Sequence, residues 1–458
     1  MYPRLAEGAI VRDRVCAFVQ SHDRIAVSPA NEDYALSPNL AELLGSIDGS
    51  RNISFLTQTF GPQARTILRE LEQANIVVFQ DRPIPNDSHN KQFIRCTDLV
   101  ASCRTAIWHL TRRCNLTCAH CYYLYQSERN NDFAREDIGK VVANMVDLGV
   151  EHVTVTGGEV LANEINLYEA IEQLTSRCLP FSINTNATRR IAGLAEKLRS
   201  SPYARMVQSS VDGPPPIHDR MRGKSGSHDK TLANLSYLSS QGIFVRVVSM
   251  LTDDWMEPQA VIEVAQRLSD TGVRDWLLEL PNTTGRWRGG VDMNLSERVR
   301  RVAEALYNYL ARHDHGFRRA GLNQVFEWPL SPVVKKQLSD PACYHDLGLL
   351  SFGPEGVSFC VMYREQFGEA WKNIHDPTVP MRPVWDRIAQ ARIDHRLESN
   401  SACSNCQLFD WCQGGCPGGY EQPANFSGCD QHSRLLAIVK KAMYAEGILP
   451  PSFAPGPM

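Results

Sequence analysis

Three cysteines stand close together in the segment CNLTCAHC. Three residues separate Cys114 from Cys118, and two separate Cys118 from Cys121. Three thiolates on one loop can hold three irons of a [4Fe–4S] cube while the fourth iron has no protein ligand. Such an iron can bind and reduce a small molecule. The alternatives are a zinc site that lacks one ligand and three buried thiols. Haem attachment is excluded because Tyr122, not histidine, follows Cys121.

A second group of cysteines lies near the C-terminal end of the chain. It consists of Cys343, Cys360, Cys403, Cys406, Cys412, Cys416 and Cys429. The central run, C-x2-C-x5-C-x3-C, is by itself compatible with a zinc ribbon. Because few helical or strand patterns occur here, we expect bound metal to hold the region together.

The elements that position the first cysteine loop alternate between apolar strands and amphipathic helices from about residue 105 to 320. The predicted strands are AIWHL, HVTVT, FSINT, RMVQSSV, FVRVVSML and WLLEL. A strand–helix repeat of roughly 30 residues predicts a parallel sheet, either open or partly closed into a barrel. Cys114 follows the first strand, while TGGE at 156–159 and Asn186 end the second and third.

The first 92 residues form a separate compact unit. CAFVQ, RIAVS and DYALS are predicted strands. Three helices follow, in SPNLAELLGSI, ISFLTQTFG and ARTILRELEQAN, and IVVFQ is a last strand. This order is typical of a small winged-helix module. The polar, proline-containing stretch 81–92 is the predicted linker.

The cysteine triple in this strand–helix context resembles the radical S-adenosylmethionine (SAM) superfamily, with His120 in place of the aromatic residue before the third cysteine. The resemblance implies a [4Fe–4S] cluster whose electron cleaves SAM to methionine and a 5′-deoxyadenosyl radical. It also implies SAM contacts from the backbone of Gly157, Gly158 and Glu159 to the methionine amino group.

Further SAM contacts follow from the same resemblance. Asn186 and Ser210 would contact the ribose, and Arg222 the carboxylate. A surface ion pair is the alternative role for Arg222. Glu279, Tyr344 and Asp346 lie in stretches where a catalytic acid or base is plausible, and structural or solvated roles are the alternative.

The seven C-terminal cysteines are similar in order to the SPASM extension of radical SAM enzymes, which carries two auxiliary iron–sulfur clusters. The resemblance assigns the outer cluster to Cys403, Cys406, Cys412 and Cys429. It assigns the inner cluster to Cys343, Cys360 and Cys416, without an obvious fourth ligand. These auxiliary clusters would either accept an electron from the substrate or have a structural role. The remaining Cys16, Cys96, Cys103 and Cys178 are predicted to be small buried side chains.

The N-terminal unit resembles the PqqD-like domain that recognises peptide leaders. In that family a leader peptide adds a strand to an exposed sheet edge, for which DYALS is the candidate. DNA binding is disfavoured, because Arg65 and Arg69 are offset by Glu70 and Glu72.

The predicted fold class is α/β, a partial (β/α)6 TIM-like barrel with a winged-helix domain before it and a SPASM domain after it. The predicted domains are 1–92 (PqqD-like), 105–320 (radical SAM core), 321–432 (SPASM) and 433–458 (C-terminal helix and tail). The chain has 458 residues and a net charge of −3. No nucleic-acid partner is expected from this charge, and no membrane segment or secretory signal occurs, so we expect a cytoplasmic protein.

The predicted function is that of a radical SAM peptide maturase. It would bind a precursor peptide by its leader, remove a hydrogen from the core and form a thioether or carbon–carbon cross-link. A low-potential donor such as flavodoxin or ferredoxin would supply electrons. One alternative is formylglycine-type oxidation, disfavoured because Val361, not aspartate, follows Cys360. Cross-linking of an enzyme subunit and a zinc-ribbon regulator with a winged helix are the others.

Overall fold

The structure is a computed structural model. The residues it describes are 1–7, 9–16, 21–27, 33–85, 93–96, 103, 105–123, 132–281, 293–323, 325–328, 349–354, 356–358, 376–378, 380–382, 385, 408 and 431–450. The seven C-terminal cysteines with Tyr344, Asp346 and Val361 lie outside them.

The N-terminal part contains six strands and three helices within the described residues. The strands are β1 Tyr2–Leu5, β2 Ile10–Cys16, β3 Ser21–Val27, β4 Asp33–Ala35, β5 Val77–Gln80 and β6 Phe93–Cys96, and the helices are α1 Pro38–Gly45, α2 Ile53–Phe60 and α3 Ala64–Gln73. They form a four-stranded sheet in the order β4-β3-β2-β6 and a separate antiparallel pair of β1 with β5.

The three predicted helices are confirmed, and their starts have a local cause. The Ser37 side chain accepts a hydrogen bond from the Leu40 amide at 3.3 Å, and the Asn52 side chain accepts one from Phe55 at 2.8 Å. Both residues are N-caps, whose side chains accept hydrogen bonds from first-turn amides that have no carbonyl partner within the helix. Of the predicted strand CAFVQ, only Cys16 is described, as the last residue of β2, and residues 17–20 lie outside the described part of the chain. Strand β1 was not predicted, and β6 joins the sheet after residue 92 by pairing parallel to β2.

The central part is a parallel sheet with helices between its strands. Its strands are β7 Thr105–Thr111, β8 His152–Gly157, β9 Phe181–Asn184, β10 Ala204–Ser210, β11 Val245–Met250 and β12 Asp275–Glu279. The helices are α4 Ile138–Asp147, α5 Glu164–Ser176, α6 Ala192–Arg199, α7 Pro215–Arg222, α8 Ser227–Ser240, α9 Pro258–Asp270 and α10 Ser296–Arg312. All six predicted strands are present and pair in parallel with their sequence neighbours.

Side chains alternate between the two faces of this sheet. Trp276 and Leu278 of β12 pack in one core with the helices, as do Val153 and Val155 of β8. The intervening residues must point to the opposite face, because successive side chains of a strand alternate. We call this opposite face the inner face.

The sheet extends past the six predicted strands. Strands β13 Arg319–Leu322, β14 Phe326–Trp328, β15 Leu349–Gly353 and β16 Gly356–Ser358 complete the order β14-β13-β12-β11-β10-β9-β8-β7-β15-β16. β15 comes from the region predicted as SPASM and pairs in parallel with β7.

The last described helix, α11 Gln431–Ala445, packs beside α10, where Arg300 Nη1 and Glu446 Oε2 are 2.8 Å apart. Leu435, Leu436 and Val439 of this helix belong to the same core as the sheet. In the described part of the chain, every helix is too short or too polar to span a bilayer.

Candidate active site

The loop that carries the three cysteines begins directly after β7. Cys114, Cys118 and Cys121 are half-buried, and the Cys121 amide donates to the Cys118 carbonyl at 3.3 Å. The charges of Cys118 and Cys121 both act on Cys114. The loop therefore brings the three predicted ligands together.

The end of α7 holds this loop from one side. The Thr117 amide donates to the Arg222 carbonyl at 3.3 Å, and the Ala119 amide donates to Met221 at 2.8 Å. The last carbonyls of a helix have no partner within it, so the cysteine loop completes the helix end. Gly223 follows with φ +67°, a conformation that glycine adopts without strain.

The TGGE segment holds the loop from the other side. The Gly158 amide donates to Thr111 and the Glu159 amide to Arg113, both at 2.7 Å. A Cβ added at Gly157 would lie 2.5 Å from the Thr111 carbonyl oxygen, and one at Gly158 would overlap the main chain of Arg113. These glycines therefore permit a close approach of the segment entering Cys114, and the SAM contact of their backbone stays a prediction.

Glu159 joins the carboxyl ends of β8 and β9. Its buried carboxylate accepts hydrogen bonds from the Leu161 amide at 3.0 Å, the Thr185 hydroxyl at 2.7 Å and the Asn186 amide at 2.7 Å. Burial raises the pKa of Glu159 although these hydrogen bonds favour the ionised form. The Glu159 side chain thus connects the segment after β8 to the segment after β9.

Asn186 connects the end of β9 to the cysteine loop. Its Nδ2 donates to Asn115 Oδ1 at 3.0 Å, and Asn115 Nδ2 donates to the Thr188 hydroxyl at 2.9 Å. The Asn186 Oδ1 accepts from the Thr188 hydroxyl at 2.7 Å and from its amide at 3.0 Å. These bonds fix the orientation of the Asn186 side chain, for which a ribose contact stays a prediction. Ser210, at the end of β10, is half-buried and has no side-chain hydrogen bond to any described residue.

Arg222 forms a buried ion pair, not the surface pair considered as its alternative role. Its Nη2 lies 2.6 Å from Asp212 Oδ2, and the side chains of Arg222 and Asp212 are 10% and 1% exposed. The Arg222 Nη1 is 3.7 Å from Cys118 Sγ. Burial opposes ionisation of Asp212, but Arg222 and His120 outweigh it and lower the pKa of this carboxyl. The guanidinium charge is therefore shared between a carboxylate and a cluster-loop thiol.

His120 lies beside the same carboxylate oxygen, with its Nε2 3.7 Å from Asp212 Oδ2. Burial lowers the pKa of His120 to about 4, although Asp212 acts in the opposite direction. His120 Nδ1 and Arg222 Nε are buried without a hydrogen-bond partner in the described part of the chain. Unpartnered buried polar atoms beside the cysteines indicate that another group belongs there.

The thiols fit an iron–sulfur cluster. Burial raises the pKa of Cys114 to about 11 and also raises that of Cys118, where Arg222 acts in the opposite direction. Bound metal deprotonates such thiols. Among the described residues, no three His, Cys, Asp or Glu side chains converge on a single ion. In a cube each thiolate binds a different iron, so that convergence is not required.

Sequence reasoning missed two residues that form this site. Asp212 lies in the SVDG segment and Asn115 follows Cys114, both polar residues within or beside quoted motifs. Their positions were visible, but their partners were not: Asn115 bonds to Asn186, 71 residues later, and Asp212 lies against His120 and Arg222. Of the spare thiols, Cys103 is buried as predicted and Cys178 is half-buried, whereas the side chains of Cys16 and Cys96 are outside the description.

The match to a known family covers the described site. Residues 108–268 match the model of the radical SAM superfamily. The chain therefore contains a radical SAM domain, and its three-cysteine loop, TGGE segment and Arg222 all lie within the matched residues.

Curated relatives and solved structures share parts of this chain. It is 30% identical over 184 residues to the antilisterial bacteriocin subtilosin biosynthesis protein AlbA of Bacillus subtilis, covering 40% of each chain. It is 26% identical to the AdoMet-dependent heme synthase of Nitratidesulfovibrio vulgaris, over 48% of this chain and 57% of that protein. The chain thus spans about half the length of these two relatives. It is 24% identical to the mycofactocin maturase MftC of Mycolicibacterium smegmatis, over 68% of this chain and 76% of that one.

Among solved structures, SuiB of Streptococcus suis bound to S-adenosylmethionine has the same fold. Its TM-score is 0.64, with 17% identity over 92% of this chain and 99% of that chain. SuiB bound to its precursor peptide SuiA has a TM-score of 0.59 and 15% identity, over 84% and 88% of the two chains.

Proposed function

We propose that this chain is a radical SAM peptide maturase that forms an intramolecular cross-link in a ribosomally made precursor peptide. The observation that carries the proposal is the three-cysteine loop, fixed on one side by TGGE and on the other by Arg222. Support for a peptide substrate comes from the relatives, among them a bacteriocin biosynthesis protein, a mycofactocin maturase and SuiB with its precursor peptide.

Cys114, Cys118 and Cys121 would hold the cluster. The residues that would contact SAM are Gly157, Gly158, Glu159, Asn186, Ser210, His120 and Arg222. When bound, the cluster and SAM supply a radical that removes a hydrogen atom from the substrate. The chain's own residues orient these groups. Arg222 offsets the thiolate charge of Cys118, and the Glu159 and Asn186 contacts fix the loop relative to β8 and β9.

We infer that the N-terminal part binds the leader peptide. In the described residues, β4 pairs only with β3 and forms one edge of the four-stranded sheet. An unpaired strand edge can accept a peptide strand through main-chain hydrogen bonds. The region 321–432 would hold two auxiliary clusters through its seven cysteines, and a flavodoxin or ferredoxin would donate electrons. The protein would act in the cytoplasm.

The proposal is tested by searching the neighbouring coding sequences for a short precursor peptide and co-expressing it anaerobically with this chain. The purified protein should hold about 12 irons, from three four-iron cubes, and the peptide should lose two hydrogens in mass. Cys118→Ala should abolish formation of 5′-deoxyadenosine, whereas Cys178→Ala, which removes a half-buried thiol outside the loop, should not. A colourless protein that holds zinc, or a peptide of unchanged mass, would refute the proposal.

A further inference from the structure

A carboxylate lies at the carboxyl end of β12, away from the cysteine loop. Glu279 is the last residue of this strand. The neighbouring Leu278 packs in the core with the helices, so Glu279 points to the inner face. Ser210 pairs with Val248, and Val248 pairs with Leu277. Paired residues of parallel strands share a face, so Ser210 and Glu279 are on the same face.

A continuous row of contacts connects Glu279 to the cluster loop. Asp212, the partner of Arg222, accepts a hydrogen bond from the Met250 amide at 2.9 Å. The next amide, that of Leu251, donates to the Glu279 carbonyl at 2.7 Å. The ends of β10 and β12 are two strand spacings apart, which is about 10 Å. Glu279 therefore lies on the same face and at the same edge of the sheet as the residues beside the cysteine loop.

One oxygen of the Glu279 carboxylate accepts a hydrogen bond from a described residue, and the other does not. Asn323 Nδ2 donates to its Oε1 at 3.1 Å, and the Asn323 amide is itself fixed on the Leu278 carbonyl at 2.9 Å. The other carboxylate oxygen makes no hydrogen bond to any described residue, and no described cation lies within ion-pair distance. Burial raises the pKa of Glu279, although Asn323 and the charge of Arg246 act in the opposite direction. A carboxylate in this state is a better proton acceptor than an exposed one.

We propose that Glu279, oriented by Asn323, contacts the peptide side chain that receives the new bond and takes up the proton that bond formation releases. This inference rests on the proposed function. Residues at the carboxyl ends of barrel strands are the ones that reach bound substrate, and Glu279 occupies such an end on the inner face.

One peptide carbon loses a hydrogen atom and bonds to a second atom, a thiol sulfur or an aromatic carbon, that still carries hydrogen. That hydrogen leaves as a proton to Glu279, and one electron leaves to an acceptor of the iron–sulfur class. The peptide therefore loses two hydrogens and gains one bond.

The test uses the full-length reconstituted protein and the neighbouring-gene peptide with a deuterated core. Glu279→Gln keeps the size of the side chain and the Asn323 contact but removes the base. We expect it to transfer deuterium to 5′-deoxyadenosine and bind the peptide as the wild type does, while the cross-linked product falls about 100-fold. Glu279→Asp should recover part of the product. Glu263→Gln, an exposed carboxylate on α9, is the matched control and should behave as the wild type.

Three outcomes would overturn the role of Glu279. These are normal product from Glu279→Gln, loss of deuterium transfer together with product, and loss of peptide binding. The last two would make Glu279 a structural or binding residue. A wild-type protein that cleaves SAM but leaves the peptide mass unchanged refutes the cross-linking function itself, and the variants are not needed to see it.

Discussion

The buried ion pair between Asp212 and Arg222 makes a sharp prediction about stability. Arg222→Met removes the charge and keeps the side-chain length, and Asp212→Asn keeps an acceptor for the Met250 amide. Each single change leaves one uncompensated charge or polar group in a site where the two side chains are 10% and 1% exposed. The double variant leaves neither charge.

The burial of both groups sets the expected magnitude. Removing one partner of a buried pair costs about 3–5 kcal/mol, which corresponds to roughly 6–20 °C in melting temperature for a domain of about 200 residues. Groups in direct contact are coupled by about 0.5–3 kcal/mol, so the double variant should lose less stability than the two single variants added together.

Thermal unfolding of the metal-free full chain, for the wild type and the three variants, measures this coupling. The iron content after reconstitution should fall in Arg222→Met, because this cation lies 3.7 Å from Cys118 Sγ. Additive losses, or a single variant as stable as the wild type, would refute the reasoning that these groups compensate each other in the interior.

Three further changes test the residues around the loop. Gly158→Ala should displace the segment entering Cys114 and reduce iron incorporation, whereas Gly139→Ala, a helical site with only the Gln173 side chain nearby, should not. In Glu159→Gln, the new side-chain NH2 group would face a hydrogen-bond donor, either the Asn186 amide or the Thr185 hydroxyl. The variant should therefore lose about 1–3 kcal/mol in unfolding free energy and show faster hydrogen exchange at the Asn186 amide. Burial, followed by the charge of Arg222, lowers the pKa of His218 to about 4. The stability that the neutral imidazole contributes is therefore complete above pH 6.5, the ordinary pKa of histidine, and is lost as the pH falls towards 4. Between pH 6.5 and pH 4, the melting temperature of His218→Asn should therefore fall less than that of the wild type. If the two proteins show the same dependence of melting temperature on pH, the assigned role of His218 is wrong.

Local sequence patterns predicted the elements well where burial is regular. The six central strands alternate with amphipathic helices, and both periodicities depend only on residues close in sequence. Short elements were harder. β1 has four residues and contains Pro3, and it becomes a strand only because β5, more than 70 residues later, pairs with it. β15 likewise joins the sheet through β7, from a stretch in which no regular pattern was visible.

By itself, the sequence determined the chemistry of the first loop, because three thiols within eight residues match a ligand pattern of iron–sulfur clusters. It also determined the parallel sheet that carries the loop. Only the tertiary structure decided which polar side chains contact each other. Asp212 pairs with Arg222, Asn115 with Asn186, and Glu279 with Asn323, through contacts between separate strand ends and loops. The physical reason is that periodicity specifies which face of an element is buried, whereas the partner of a polar side chain depends on how distant elements pack.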